Sequence, residues 1–324
     1  MAERLSEAMR RSLYGPDGFF VRHRPADHFR TSATASPLFA RAIATLVAEA
    51  DRALGHPDRL TVVDVGAGRG ELLTRLLALL EPADRIEPVA VELAARPEGL
   101  DKRIAWRRQP PERFTGVLLA MEWLDNVPVD TAALGEDGLL RYDDGTELSA
   151  ADRAWVDQWW PLTEPGDVAE IGRSRDEAWR DAVNRLERGL AVAVDYGHTK
   201  QTRRLTLTGF RYGREVEPAF DGSTDITAHV AIDSLTATAT HGVQVKRQRE
   251  ALKALGIDGA RPPLDLARTD PQAYVRALAR ASQAADLADP AGLGDHLWVL
   301  ETVAIELDHG DFRGTGRSEH RGAA

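Results

Sequence analysis

The sequence predicts an α/β fold, a doubly wound and mostly parallel sheet, and three observations lead there. From residue 60 onward, short apolar runs alternate with helical stretches, the pattern of strands joined by crossover helices. The runs "TVVDV", "PVAVE", "GVLLAME" and "LAVAVD" are nearly unbroken, which suits strands covered on both faces. A glycine-rich turn, "GAGRG", joins the first run to the helix after it.

Residues 5–13 read as a short helix and "YGPDGFF" as a turn on its Pro and two Gly. "HFRTSATAS" reads as a Ser/Thr-rich loop. A helix starts at Pro37, with Leu38, Ile43, Leu46 and Val47 on one apolar face. Past the glycine turn, "ELLTRLLALLE" is helical and stops at "PADR", and a short "IAWRR" follows the loop "LAARPEGLDKR". Segment 131–188 departs from the alternation. In it "GLLRYDDGTEL" reads as a hairpin and "RDEAWRDAVNRLERG" as a helix closed by Gly189. "GHTKQTRRLTLTGFRYGREVEP" reads as exposed β structure, and "ITAHVAIDSLTATATHG" mixes strand and helix signals. "RQREALKALGI" is a helix with a Gly stop, "DPQAYVRALARASQAADLADP" a further helix, and "HLWVLETVAIEL" a last strand. The expected organisation is an N-terminal helical lid over 1–58 and a main domain over 59–308 with an α/β insertion at about 131–188. Residues 309–324, Gly/Arg-rich and without aliphatic side chains, are expected to be disordered.

The 324 residues, 43% hydrophobic and 28% charged, can support one large core or two modest ones. A formal net charge of −10 argues against a general nucleic-acid binder and is compatible with a basic partner. With no cysteine, disulfides, thiolate catalysis and cysteine metal sites are excluded. The charged start "MAERLSEAMRRSLYG" lacks the apolar core of a signal peptide, and no run approaches the ~18 apolar residues of a membrane span, so a cytoplasmic protein is expected.

The turn reads Gly66-Ala67-Gly68-Arg69-Gly70. A P-loop needs Lys and then Ser or Thr after its last Gly, but Glu71 follows here. The dinucleotide spacing G-x-G-x-x-G fails at the same residue, and a Glu at a helix N-terminus repels a pyrophosphate. Acid, small residue, then G-x-G-x-G is the pattern associated with S-adenosylmethionine, which presents a carboxylate, an amine, a sulfonium and a ribose. Glycines let the backbone approach the methionine part closely, and Asp64 can accept from its ammonium. The alternative is a tight turn without a ligand.

The four runs each end in an acid: Asp64, Glu92, Glu122 and Asp195. In an open parallel sheet those ends share one rim, where ligands bind, and four carboxylates there suit cations. Glu92 lies about 20 residues past the glycines, where an acid commonly takes ribose hydroxyls, unless it is only a solvated strand end. Glu122 and Asp125, in "EWLDNVP", could grip a guanidinium or amine from two sides and favour its deprotonation. The plainer reading makes Asp125 a helix cap and pairs Glu122 with a surface Arg. Trp123 is expected in the core. His198, in "VDYGH", is a candidate general base or a polar loop residue. Asp-x-x-His with His229 is too weak for a metal site, so none is expected.

Several stretches together resemble the MidA family of S-adenosylmethionine-dependent methyltransferases, across roughly residues 5–260. They are "LYGPDGFF", "FRTSATASPLFA", "VDVGAGRGELL", "MEWLDNVPV", "VDYGH", "STDITAHV" and "QREALKALGI". The resemblance implies a class I methyltransferase (Rossmann-like) fold. It places Thr31 and Ser32 at the edge of the cofactor, and Asp64, Gly66, Ala67, Gly68, Gly70 and Glu92 around it. Mitochondrial members are complex I assembly factors that symmetrically dimethylate an arginine of a complex I subunit. An arginine of a partner protein, a respiratory-complex subunit among the candidates, is the implied acceptor. A small-molecule O- or N-methyltransferase and a non-catalytic cofactor-binding assembly factor are the alternatives. Ala33 and Thr34 stand where the family has Pro-Glu, Met121 replaces a polar residue, and His229 replaces an Asp. These departures cluster on the presumed acceptor side.

Overall fold

A computed structural model describes residues 3–23, 31–80 and 82–307. The tail expected to be disordered lies outside them. The central sheet has seven strands: β1 (Leu60–Val65), β2 (Ile86–Val91), β3 (Ala105–Arg107), β4 (Phe114–Met121), β8 (Leu186–Asp195), β14 (Gly242–Arg247) and β15 (Leu297–Val303), in the order β14-β15-β8-β4-β1-β2-β3. β1 pairs in parallel with β2 and β4, β2 with β3 and β4 with β8, whereas β15 runs antiparallel to β8 and β14. The chain leaves β1 in one direction to β2 and returns on the other side to β4. That reversal places a crevice at the carboxyl ends of β1 and β4.

Register aligns Val65 with Val91 and Ala120, and Met121 with Val194. Asp64, Glu92, Glu122 and Asp195 therefore stand on one rim. Along each strand alternate side chains enter opposite cores. Val62, Ala90, Leu119 and Val192 pack with Phe39, Ile43, Leu46, Leu73 and Leu76 of the helices Pro37–Ala53 and Glu71–Leu77. Val63, Val89, Leu118 and Ala191 pack with Trp179 and Val183 of the helix Arg173–Val183 and with Leu235. Ser36 caps the first of these helices, its side chain accepting from Leu38 N, and Pro37 occupies the first turn. No helix of the described residues is long and apolar enough to cross a membrane.

The insertion carries its own small sheet, β5 (Asp130–Leu134), β6 (Leu140–Tyr142) and β7 (Val168–Ile171), in the order β6-β5-β7, with the helix Ala150–Trp159. Ala132, Tyr142, Trp155, Val156 and Ile171 fill it. Three points of the sequence reading change here. A hairpin of β5 and β6 turns around Gly135–Leu139, and the "GLLRYDDGTEL" stretch turns back on itself through an antiparallel bridge between Arg141 and Glu147, with Tyr142 N donating to Thr146 O at 2.9 Å. The Ala150–Trp159 helix goes unread, although Ser149 caps it by accepting from Asp152 N. Gly189 does not close a helix. The helix ends at Val183, and Gly189 lies inside β8 opposite Gly116, where a Cβ would come within 1.8 Å of the Gly116 carbonyl oxygen.

Small elements cover the rim. The N-terminal helices Leu5–Tyr14 and Phe19–Arg22 bury Met9, Leu13 and Phe19 against Ile226 and Ala228. Ile226 belongs to β12 (Asp225–Thr227), which pairs with β10 (Thr208–Arg211), itself paired with β11 (Arg214–Val216). β9 (Gly197–His198) pairs with β13 (Val230–Ala231). The stretch read as a Ser/Thr loop contains a short helix, Ser32–Ala35, because Thr31 and Thr34 form a reciprocal cap at its start.

Candidate active site

Beyond β1 the chain turns through the glycine loop, with Gly66, Gly68 and Gly70 all at positive φ. Gly66 N and Ala67 N donate to Val91 O at 3.0 and 3.3 Å, which ties the loop to the end of β2. Glu92 draws the loop in from the other side. Its Oε2 accepts from Gly68 N at 3.0 Å, and its Oε1 accepts from Leu93 N and Ala94 N at 2.6 and 3.1 Å.

These groups open onto a cavity of about 430 Å³, within the usual range of small-molecule sites. Asp64, Gly66, Ala67, Gly68, Arg69, Glu92 and Glu122 line it, together with Thr31, Ala33, Thr34 and Met121, while Gly70 lies outside the lining. Trp123 lies in its wall as well as against the core, because Gly66 packs on the indole. Tyr14 and Phe20, stacked at 5.5 Å, close the cavity from the N-terminal helices, and Arg108, Asp181 and Arg185 contribute from the opposite side. No motif in the sequence marked the last three. The stretch "LYGPDGFF" was the signal for Tyr14 and Phe20.

Asp64 is buried, and burial, reinforced by the Glu71 and Glu92 charges, pushes its carboxyl up to about 8. A buried acid held protonated among other acids, beside an open glycine turn, fits a ligand that brings an ammonium and a sulfonium. The residues present therefore fit S-adenosylmethionine: the loop would take the methionine part, Asp64 its amine and Glu92 the ribose.

Glu122 has φ 51, the left-handed region, at a cost of order 1–3 kcal/mol for a side chain with a Cβ. Glu122 N donates to Val194 O at 2.7 Å, and its Oε1 accepts from Ser32 N at 2.7 Å. Burial raises its carboxyl to about 8, the Ser32 amide opposes the rise, and the Asp125 charge adds to it. Ser32 is fully buried, and its hydroxyl donates to Gln248 Oε1 at 3.2 Å. It supports Glu122 and is not itself part of the cavity wall.

Asp125 and His198 are also absent from that wall. Asp125 lies beneath the turn after β4, its amide donating to Asp195 Oδ2 and its carbonyl accepting from Arg175 Nη2 at 2.7 Å. Its Oδ1 is buried without a partner, and burial, opposed by Arg175, lifts the carboxyl to about 6. Arg175, buried at 1% exposure, also donates to the carbonyls of Val127, Ala228 and His229, binding the turn after β4 to the loop after β12. His198 packs edge-on against Trp160, with Arg203 against its Nδ1. Burial and the Arg203 charge push its imidazole down to about 3. It is a neutral ring outside the cavity lining.

A pH dependence of stability follows. A folded-state pKa raised to about 8 in Asp64 and Glu122 means that the folded chain holds protons the unfolded chain has released. Their stabilisation is complete below the ordinary carboxyl pKa and is lost as pH rises toward 8, by on the order of 1 kcal/mol per pH unit for each group. Asp195 and Asp225, also raised, act in the same direction. His198, His229 and His296, lowered to about 3, 4 and 4, act oppositely, but only below about 6.5. Thermal melts from pH 6.5 to 8 should show a falling Tm in the free protein. Saturating S-adenosylmethionine, whose charges favour ionised carboxylates, should flatten the fall. A Tm independent of pH in that window contradicts the burial of these acids.

Glu92 offers a second test. Its replacement by alanine removes the acceptor of three backbone amides and the expected ribose ligand. Calorimetry should show S-adenosylmethionine binding weakened by about 1–3 kcal/mol. Unchanged affinity makes Glu92 only a strand-end acid.

Comparison with known proteins now adds to this geometry. Residues 42–249 match the model of a family described as "Putative S-adenosyl-L-methionine-dependent methyltransferase". Two solved structures from Burkholderia thailandensis, members of one superfamily, resemble the chain over nearly its whole length. One is bound to S-adenosyl-homocysteine, with 25% identity and a TM-score of 0.75, over 97% of this chain and 92% of that one. The other, in its native form, also has 25% identity, with a TM-score of 0.73, over 97% and 91%. No curated protein matches the chain.

Proposed function

Because the chain belongs to this family of S-adenosyl-L-methionine-dependent methyltransferases, we propose that it methylates a nitrogen, that of an arginine in a partner protein, as MidA-type enzymes do. The observation that carries the proposal is Glu122, a carboxylate held in the cavity at a strained backbone position on the carboxyl rim of the sheet. S-adenosylmethionine, when bound, supplies an electrophilic methyl group. Glu122 holds the acceptor nitrogen by charge-assisted hydrogen bonding and takes up its proton. Asp125 acts from beneath, its charge favouring the protonated form of Glu122. Tyr14 donates to Asn126 O at 3.0 Å and walls the cavity, and with Phe20 excludes water from it. We assign the helices Leu5–Tyr14 and Phe19–Arg22 to a lid on the same grounds, whereas the helix Pro37–Ala53 belongs to the core beneath the sheet.

Ala33 and Met121 in the wall favour a second reading, a smaller and less charged acceptor such as a metabolite amine or hydroxyl. Incubating native proteome with labelled S-adenosylmethionine distinguishes the two. Label on protein, with methylarginine by mass spectrometry, supports the first, and label confined to small molecules overturns it in favour of the second.

A further inference from the structure

We infer that Gln248 is a positioning residue for methyl transfer: through the Ser32 hydroxyl it fixes the backbone amide that holds the Glu122 carboxylate in the cavity. The inference rests on the reading of Glu122 as the carboxylate that meets the acceptor.

Ser32 is separated from Glu122 by 90 residues, yet its amide donates to Glu122 Oε1 at 2.7 Å. A short helix capped by its own Thr31 and Thr34 fixes the local turn but not where that turn sits over the sheet. Two anchors fix that: Arg75 Nη1 donates to Ala33 O at 2.6 Å, and at the start of the turn the Ser32 hydroxyl is fully buried and 3.2 Å from Gln248 Oε1. Gln248 opens the helix Gln248–Ala254 and is itself completely buried.

The direction of each hydrogen bond follows from elementary donor and acceptor rules. Trp298 Nε1 only donates, and it lies 3.0 Å from Gln248 Oε1, so the amide oxygen faces Trp298 and Ser32. Gln248 Nε2 then donates to Leu287 O at 3.0 Å, and a flipped amide would set its NH₂ against the indole N–H. His296 Nδ1, 3.5 Å from the Ser32 hydroxyl, is 2.9 Å from Leu293 O. A carbonyl only accepts, so Nδ1 carries the proton and cannot take the one from Ser32. That leaves Gln248 Oε1 and the Glu122 carboxylate to share the Ser32 proton, and the Ser32 side chain also opposes the rise of the Glu122 carboxyl.

The result is one satisfied buried network running from Leu287 and Trp298 through Gln248 and Ser32 to Glu122. In a low-dielectric core such a network holds its members rigidly. The β14–β15 edge of the sheet thereby sets the place of a carboxylate at the end of β4, two strands from β15, and a shift of about 1 Å at a reacting group can cost roughly 100-fold in rate.

The test compares Ser32→Ala, Gln248→Met, their double variant and Glu122→Gln. It uses labelled S-adenosylmethionine and native proteome as acceptor from pH 6 to 9.5, with S-adenosylmethionine affinity by calorimetry. Ser32→Ala and Gln248→Met should each lower label transfer by roughly 10–100-fold at unchanged cofactor affinity. The double variant should be no worse than Gln248→Met, because both act through one bond. The acid limb of the pH profile should move to higher pH in all three, since a carboxylate deprived of an amide donor binds its proton more tightly. Multiplicative losses, or an unmoved acid limb in folded protein, make Gln248 ordinary core and overturn the inference. Should Gln248→Met fail to fold, Gln248→Asn, whose shorter side chain withdraws the amide oxygen from Ser32, decides by the same limb. If Glu122→Gln is impaired while Ser32→Ala and Gln248→Met transfer label normally, this inference alone falls. Glu122→Gln at wild-type level removes the reading beneath it.

Discussion

Glu122→Gln should lower methyl transfer by ~10²–10⁴-fold, the usual worth of a positioned general base, while S-adenosylmethionine affinity stays near wild type. The amide preserves the shape of the side chain, and the left-handed backbone at φ 51 is no harder for Gln than for Glu. What is lost is a proton acceptor and a negative charge at the acceptor nitrogen. The proteome-labelling assay measures the first quantity and calorimetry the second. Asp125→Asn should be the milder change, because Asp125 lies outside the cavity wall and reaches the reaction only through its field on Glu122. If both variants label the proteome like wild type, the two carboxylates merely stabilise the turn after β4, and the arginine reading rests on resemblance alone. If Asp125→Asn is the more severe, the acceptor reaches beneath that turn.

Gly68→Val should remove cofactor binding and leave the fold intact. Gly68 has φ 57, where a β-branched residue is a genuine outlier. A Cβ there would still meet nothing nearer than Glu71 Oε2 at 3.6 Å, so no packed neighbour opposes the new side chain. The branched group instead projects where the methionine part approaches, and backbone strain shifts the Gly68 amide from Glu92. Strain of about 1–3 kcal/mol alone corresponds to roughly 5–150-fold in affinity, and the steric block adds to it. Gly66 is the poorer choice, because a Cβ there would stand 3.0 Å from the Trp123 ring and would disturb packing and binding together. Calorimetry with S-adenosylmethionine and a thermal melt decide the matter. Retained binding shows that the loop does not approach the ligand closely.

Much of the fold was readable because its signals are local. Apolar runs that end in an acid announce buried parallel strands whose ends share a rim, and register does place Asp64, Glu92, Glu122 and Asp195 there. Glycines at 66, 68 and 70 announce positive φ, which is a property of single residues. The helix at Pro37 was legible from its apolar face, while the caps at Ser36 and Ser149 went unread. Gly189 shows the other side. Its nearness to a helical stretch suggested a stop, but its cause is a backbone, Gly116, that arrives from 73 residues away.

Side-chain type and order along the chain therefore determine that this protein has a doubly wound sheet with an acidic rim and a glycine turn suited to S-adenosylmethionine. Only the tertiary structure decides which acids face the cavity. Glu122 and Asp125 are three residues apart and chemically alike. Yet Val194 O and Ser32 N turn the first into the cavity, while Asp195 and Arg175 hold the second beneath it. Ser32, read as a cofactor contact, supports Glu122 instead, and His198 is enclosed by Trp160 and Arg203. In each case the deciding partner lies far away in sequence. A carboxylate, hydroxyl or imidazole takes its direction from whichever distant donor or packed ring the fold brings beside it, and periodicity and spacing carry no record of that.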